Sequence, residues 1–294
     1  MRLCRFDENR LGYLIGDVVY DVSAALDSIA PVRWPLPPGD LLIINLPQVR
    51  DRIEALLGNA RKIPLASVAL LNVVANPGKI MAAPANYRLH VEIDARDPGV
   101  DHGVHYAQLA AMSAPTEELG LFLKAGSSVV GPSQGVEIAF PDRRTDYEVE
   151  LAVVIGSGGK NIARHNALEH VAGYMIGLDM SVRGKEDRSF RKSADSYTVL
   201  GPWLVTTDEI ENPSSLDLKL SVNGKLRQSS NTANLTVGIE RMIELASCMY
   251  TLYPGDILLT GTPEGVGQVF DGDILTATCQ GIGEMSVTVR EAPR

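Results

Sequence analysis

Cysteine is scarce in this chain. Cys4, Cys248 and Cys279 are its three thiols; they are far apart and form no C-x-x-C pair, which excludes a disulfide scaffold and a thiolate zinc site. Positive charge is in deficit too. The 27 Lys and Arg face 36 Asp and Glu, a formal charge of -9, and this argues against a nucleic-acid partner, whose phosphates require a basic face. No apolar run approaches the roughly 20 residues that span a bilayer, and the opening M-R-L-C-R-F-D-E-N-R has no apolar signal core. The expectation is a cytoplasmic protein with no membrane partner. Nucleotide fingerprints are missing as well: G-T-P-E-G-V-G at 261–267 lacks the Lys-Ser/Thr of a phosphate loop and opens no helix. The five histidines, at 90, 102, 105, 165 and 170, never form H-E-x-x-H.

What the chain does have is enough apolar material, 45% of its residues, to fill a large core. In order, Leu11–Ile15 and Val18–Val22 flank Gly16-Asp17 and read as a hairpin. After the prolines at 35, 37 and 38, the spacing of Val49, Ile53, Leu56 and Leu57 predicts a helix that ends at Gly58. Residues 1–72 form a small β-rich unit, and the character changes near Ile80. There Asn86, Tyr87, His90, Glu92 and Asp94 crowd together, and His102 and His105 follow in a Gly- and Pro-containing loop. Lys124 reads as an ordinary edge charge on a strand-like run. Asn166 to Glu169 has capping-box spacing for a short helix stopped by Gly173, with His165 and His170 at its surface or end. Asn223-Gly224 marks a hairpin, residues 239–249 a helix, and four short strand-like runs follow the glycine-rich loop.

The chain is organised around residues 146–192. In D-Y-E-V-E-L-A-V-V-I-G the two-residue period of a strand puts Glu148 and Glu150 on one face and Val149, Leu151 and Val153 on the other. Like charges side by side in an apolar run are costly unless that face is open to water or a cation sits over them. Asp179 ends a second hydrophobic strand and is followed by Arg183, Lys185, Arg188, Arg191 and Lys192. Three carboxylates backed by cations point to a hard metal that holds an anionic substrate. Thr262 and the backbone N–H groups of the 261–267 loop offer contacts for a carboxylate.

N-Y-x-x-H at 86–90, D-Y-E-V-E-L-A-V-V-I-G at 146–156, V-A-G-Y-M-I-G-L-D-M-S-V-R at 171–183, L-G-P-W-L-V-T-T-D-E-I at 200–210, L-Y-P-G-D-I-L-L-T-G-T-P-E-G-V-G at 252–267 and G-I-G-E-M at 281–285 occur in order. This set closely resembles the fumarylacetoacetate hydrolase family over residues 76–294. The resemblance implies a β-rich mixed α/β fold, a mixed β-sandwich roll carrying a small N-terminal domain, commonly as a homodimer. It implies a magnesium, manganese or calcium ion on Glu148, Glu150 and Asp179. It makes Arg183 and Lys192 basic residues of the pocket, Thr262 and Tyr87 substrate contacts, and His90 the general base of a lid.

One position departs from the family pattern. Where smaller members carry a glutamate three residues after the lid histidine, this chain has Ile93, with Glu92 and Asp94 on either side. On a helix Asp94 shares a face with His90 and Glu92 does not, so Asp94 is the expected partner. The activity implied is hydrolytic cleavage of an acylpyruvate-like keto acid with release of pyruvate, in which Lys192 steadies the leaving enolate. The alternatives are an isomerase or tautomerase of an unsaturated 2-hydroxy diacid, an oxaloacetate-type decarboxylase, and a metal-stabilised binding protein without turnover.

Overall fold

The computed structural model of the protein describes residues 1–94 and 112–292, and only the backbone at 91, 93 and 94. Its strands are β1 (Arg2–Phe6), β2 (Arg10–Ile15), β3 (Val18–Asp21), β4 (Arg61–Pro64), β5 (Leu70–Leu71), β6 (Ile80–Ala82), β7 (Phe122–Lys124), β8 (Val129–Val130), β9 (Val136–Ile138) and β10 (Thr145–Tyr147). They continue with β11 (Val149–Ile155), β12 (Val171–Asp179), β13 (Ser181–Val182), β14 (Thr198–Thr206), β15 (Asp217–Val222), β16 (Lys225–Asn231), β17 (Ile257–Leu259), β18 (Gly267–Gln268), β19 (Ile274–Cys279) and β20 (Gly283–Glu291). The fold is mixed α/β and strand-rich, as its pattern of short apolar runs predicts.

One large sheet runs in the order β4-β3-β2-β1-β14-β12-β11-β17-β6-β7, with β5 on β1 and β8 on β14. A second has the order β16-β15-β19-β20-β9, and a short third sheet is β13-β10-β18. Every residue of β11 is buried, because both faces of the large sheet are covered. Val149, Leu151 and Val153 meet Leu218, Leu220 and Leu275 of the second sheet in one core. The alternate residues Ala152 and Val154 join Ile43, Val49 and Ile53 in a separate core beneath the N-terminal helix Leu46–Leu56. Alternation along β15 and β20 is the mark of a sheet with one wet face.

Local chemistry sets most of the connections. Asn223 (φ 50) and Gly224 (φ 75) are both left-handed and close the β15–β16 hairpin, as the Asn-Gly pair predicts. The helix Ile239–Met249 spans the predicted residues and buries Ile239, Met242, Ile243 and Ala246 on one face. Two expectations fail. Residues Arg164–His170 form a 3-10 run preceded by Ala163, with no side-chain cap, and Val171 and Gly173 belong to β12. The capping-box spacing at Asn166 is overridden because Gly173 pairs with Thr206 of β14. After the glycine-rich loop the described residues form three strands, β18, β19 and β20, instead of four.

Candidate metal centre

β11 and β12 are antiparallel neighbours, and their register sets Asp179 against Glu148: the Asp179 N–H donates to the Glu148 carbonyl at 2.9 Å. Glu148 lies between β10 and β11, two residues before Glu150, so the alternation of the strand turns both side chains the same way. Carboxylate oxygens of Glu148, Glu150 and Asp179 lie within 4.8 Å of one another, and all three residues are buried.

Cations surround two of these acids. Lys192 Nζ donates to Glu148 Oε2 at 2.8 Å and to Asp179 Oδ2 at 2.7 Å. Lys124 Nζ donates to Asp179 Oδ1 at 2.5 Å, to the Tyr197 carbonyl at 3.0 Å and to the Lys192 carbonyl. Ser181 Oγ donates to Glu148 Oε1 at 2.9 Å, and Arg183 Nη2 approaches the same oxygen at 3.3 Å. Burial alone would raise the Glu148 carboxyl, but Lys192, then Arg183 and His90, hold it well below the usual range.

Glu150 is the exception. Among the described residues it makes no ion pair and accepts one hydrogen bond, from the Gly261 N–H at 2.6 Å. Burial and then the Asp179 charge push its carboxyl well above the ordinary value. An oxygen-only cluster in which one carboxyl, Glu150, has no cation among the described residues matches a hard divalent cation, so these three residues can hold one. The loop that supplies Gly261 depends on glycine: φ is +94 there, and a Cβ would lie 2.7 Å from Asn86 Cβ.

The remaining predicted residues gather around the cluster. His90 lies on the helix Arg88–Asp94, 7% exposed, and its charge reaches Glu148. Glu92 is exposed and paired with Arg88 at 3.3 Å, so it does not serve His90. The side chain of Asp94, the expected partner, lies outside the described residues, as do His102 and His105. The Tyr87 hydroxyl is buried and has no hydrogen-bond partner among the described residues; burial, then Glu150, push it upward. Thr262 Oγ1 accepts from Gln228 Nε2 at 2.9 Å, and its own proton can be donated elsewhere. Arg183 Nε donates to Asp146 Oδ2 at 2.7 Å. His165 is exposed and His170 bonds Ser157, both away from the cluster.

Four residues at this site escape the sequence reading. Lys124 is fully buried and touches Asp179, which corrects the edge-charge expectation. Asp146 is buried and holds both Arg144 and Arg183, at 2.7 Å each. Ser181 bonds Glu148, and Gln228 ties the Val149 N–H to Thr262. Asp146 and Ser181 were open to inference, since each is two residues from a carboxylate of the cluster. Gln228 carries no such signal.

Residues 79–290 match the family model described as fumarylacetoacetate (FAA) hydrolase C-terminal. The chain is 51% identical over 290 residues to a maleylpyruvate hydrolase of Aquipseudomonas alcaligenes, covering 99% of each. The solved maleylpyruvate hydrolase of Sphingobium sp. SYK-6 in complex with manganese (II) ion and pyruvate is 40% identical, with a TM-score of 0.81 and full coverage of both chains, 100% each. A 5-carboxymethyl-2-hydroxymuconate delta-isomerase from Mycobacterium smegmatis is 30% identical with a TM-score of 0.69, over 99% of this chain and 100% of that one.

Proposed function

The chain belongs to the fumarylacetoacetate hydrolase family, and within it we propose that this protein is a metal-dependent hydrolase that cleaves an acylpyruvate, maleylpyruvate first among them, to release pyruvate. The observation that carries this reading is the buried Glu148–Glu150–Asp179 cluster with Lys192 bonded to two of its members, in a chain alike from end to end to a maleylpyruvate hydrolase.

Glu148, Glu150 and Asp179 would hold a divalent cation, manganese or magnesium, which would supply Lewis-acid charge at the 2-oxo acid end of the substrate. The protein's own groups then have distinct tasks. Thr262 donates its hydroxyl proton to the substrate carboxylate, and the Tyr87 hydroxyl, without a partner among the described residues, is a second donor on the Glu150 side. His90 takes a proton from the water that attacks the distal carbonyl carbon, with Asp94 as the acid that orients it. The bond between that carbon and the methylene breaks, and its electron pair passes into the pyruvate enolate. Lys192 stabilises the enolate, and Arg183, braced by Asp146, keeps Glu148 in place. A proton on the methylene carbon completes pyruvate, and the acyl group leaves as a carboxylate.

The 30% identity to an isomerase favours one second reading. With no water placed at the distal carbonyl, His90 moves a proton across an enediolate and no carbon–carbon bond breaks. A homodimer, a cytoplasmic location and a division into residues 1–72 and 76–294 belong to the same proposal, residues 76–294 carrying the chemistry.

The test is pyruvate formation by the purified protein with manganese and maleylpyruvate. His90→Ala and Lys192→Met are each expected to lower kcat by about 10²-fold or more. Loss of the maleylpyruvate chromophore without pyruvate would select the proton-transfer reading.

A further inference from the structure

The cations near the carboxylate cluster are mostly committed. Lys124 and Lys192 are bonded to Asp179 and Glu148, and Arg183 to Asp146 and Glu148. Arg191 is different. It closes the short helix Arg188–Arg191, directly before Lys192, and is partly buried. Its Nε donates to the Glu186 carbonyl at 2.8 Å and its Nη1 to the Val182 carbonyl at 3.3 Å. Neither acceptor is charged, and among the described residues Arg191 has no ion pair, while Nη2 makes no hydrogen bond. The nearby Glu186 carboxylate is taken by Arg143, at 3.1 and 2.9 Å.

The surroundings work against a lone guanidinium. Burial, then the charges of Arg183 and Arg188, weaken its hold on its proton, and Glu148 and Glu186 only partly oppose them. A partly desolvated cation among like charges is costly unless an anion completes the site. The Phe122 ring, with Lys192 Nζ 5.6 Å and the Arg188 guanidinium carbon 5.8 Å from its centroid, offers an apolar wall next to the residues that flank Arg191 in sequence.

We infer that Arg191 is a specificity-determining residue, which binds the distal carboxylate of a dicarboxylic acylpyruvate through its uncommitted edge. This rests on the acylpyruvate reading for the 2-oxo acid end and adds the group that recognises the opposite end. The planar fork of arginine suits a carboxylate, and the two backbone carbonyls that hold Arg191 fix the direction of that fork. A substrate that ends in a methyl group has nothing for Arg191 to bind.

The experiment compares wild type, Arg191→Met and Arg191→Lys on maleylpyruvate, which ends in a carboxylate, and on acetylpyruvate, which ends in a methyl group. Manganese affinity, measured by titration, confirms that each variant keeps its centre. Arg191→Met is expected to lose about 30-fold or more in kcat/KM on maleylpyruvate and less than about 3-fold on acetylpyruvate. Arg191→Lys is expected to recover part of that loss. Equal losses on the two substrates, or no loss, would overturn the inference. A second arm, calorimetric binding of 2-oxoheptanedioate against 2-oxoheptanoate with manganese, separates this inference from the reading it rests on. If wild type cleaves neither acylpyruvate yet prefers the diacid, and Arg191→Met abolishes the preference, the hydrolase reading fails and the subsite stands. If wild type shows no preference for the diacid, the subsite is wrong.

Discussion

Lys124 Nζ donates to Asp179 Oδ1 at 2.5 Å, with side-chain exposures of 0% and 1%. Lys124 ends β7 at one edge of the large sheet and Asp179 ends β12 near its middle, so the pair joins strands that are not neighbours in the sheet. Burial weakens the hold of Lys124 on its proton, and Asp179 is the first group that restores it. Breaking a buried pair by removing one member costs about 3–5 kcal/mol when the other charge is left uncompensated, but Lys192 still holds Asp179 Oδ2 at 2.7 Å. Lys124→Met is therefore expected to lower stability by less than that, seen as a lower midpoint in urea. An unchanged midpoint would show that Lys124 is a bystander.

Glu150 is the carboxyl of the cluster that no cation pairs among the described residues, so its replacement should act on metal binding before it acts on the fold. In Glu150→Gln the amide oxygen can still accept the Gly261 N–H. The expected outcome is a melting temperature close to wild type and a manganese affinity reduced by more than about 100-fold, beyond the range seen for outer partners of a metal site. Electron paramagnetic titration of manganese checks this. Retained affinity would remove Glu150 from the ligand set.

The three thiols should separate cleanly. Burial pushes Cys4 and Cys279 up to about 12, whereas Cys248 is exposed. A thiol with a pKa of about 12 is ionised to roughly one part in 10⁴ at a pH of about 8, and the thiolate is the reactive form. Ellman's reagent on the native protein is expected to titrate one thiol, lost in Cys248→Ser. Rapid modification of all three would contradict the packing of β1 and β19.

Asp208 joins the N-terminal helix to the end of β14. Thr206 Oγ1 donates to it at 2.5 Å and Arg50 Nη2 at 2.7 Å, and these bonds, Thr206 first, bring its carboxyl from 3.8 down to about 2. A carboxyl lowered by folding stabilises the fold above its unfolded value, and that contribution disappears as pH falls from 3.8 toward about 2. The side chain is 45% exposed, so solvent screening limits the effect to below about 1 kcal/mol. Asp208→Asn should be slightly less stable than wild type near neutral pH, with the difference narrowing below a pH of about 4. A difference that grows on acidification would reverse the sign of this argument.

The metal cluster was legible because its information is local. Glu148 and Glu150 are two apart on one strand face, and Asp179 ends the adjacent strand with cations directly after it. The helix at 239–249 and the Asn223-Gly224 turn were legible for the same reason. Lys124 was not, since nothing near it in sequence says that its ammonium lies under Asp179, 55 residues away. Gln228 is similar: its partners Val149 and Thr262 are 79 and 34 residues distant. The capping-box pattern at Asn166 misled because it describes what a segment would do alone, and the ladder between β12 and β14 outweighs it.

Cleavage of maleylpyruvate in ¹⁸O-labelled water with manganese tests the central claim most directly. Attack of water on the distal carbonyl predicts equimolar pyruvate and a released dicarboxylic acid that carries one ¹⁸O in the new carboxylate, with no product from His90→Ala. An isomer that keeps all its carbons, with no acid released and no label in a carboxylate, would contradict it.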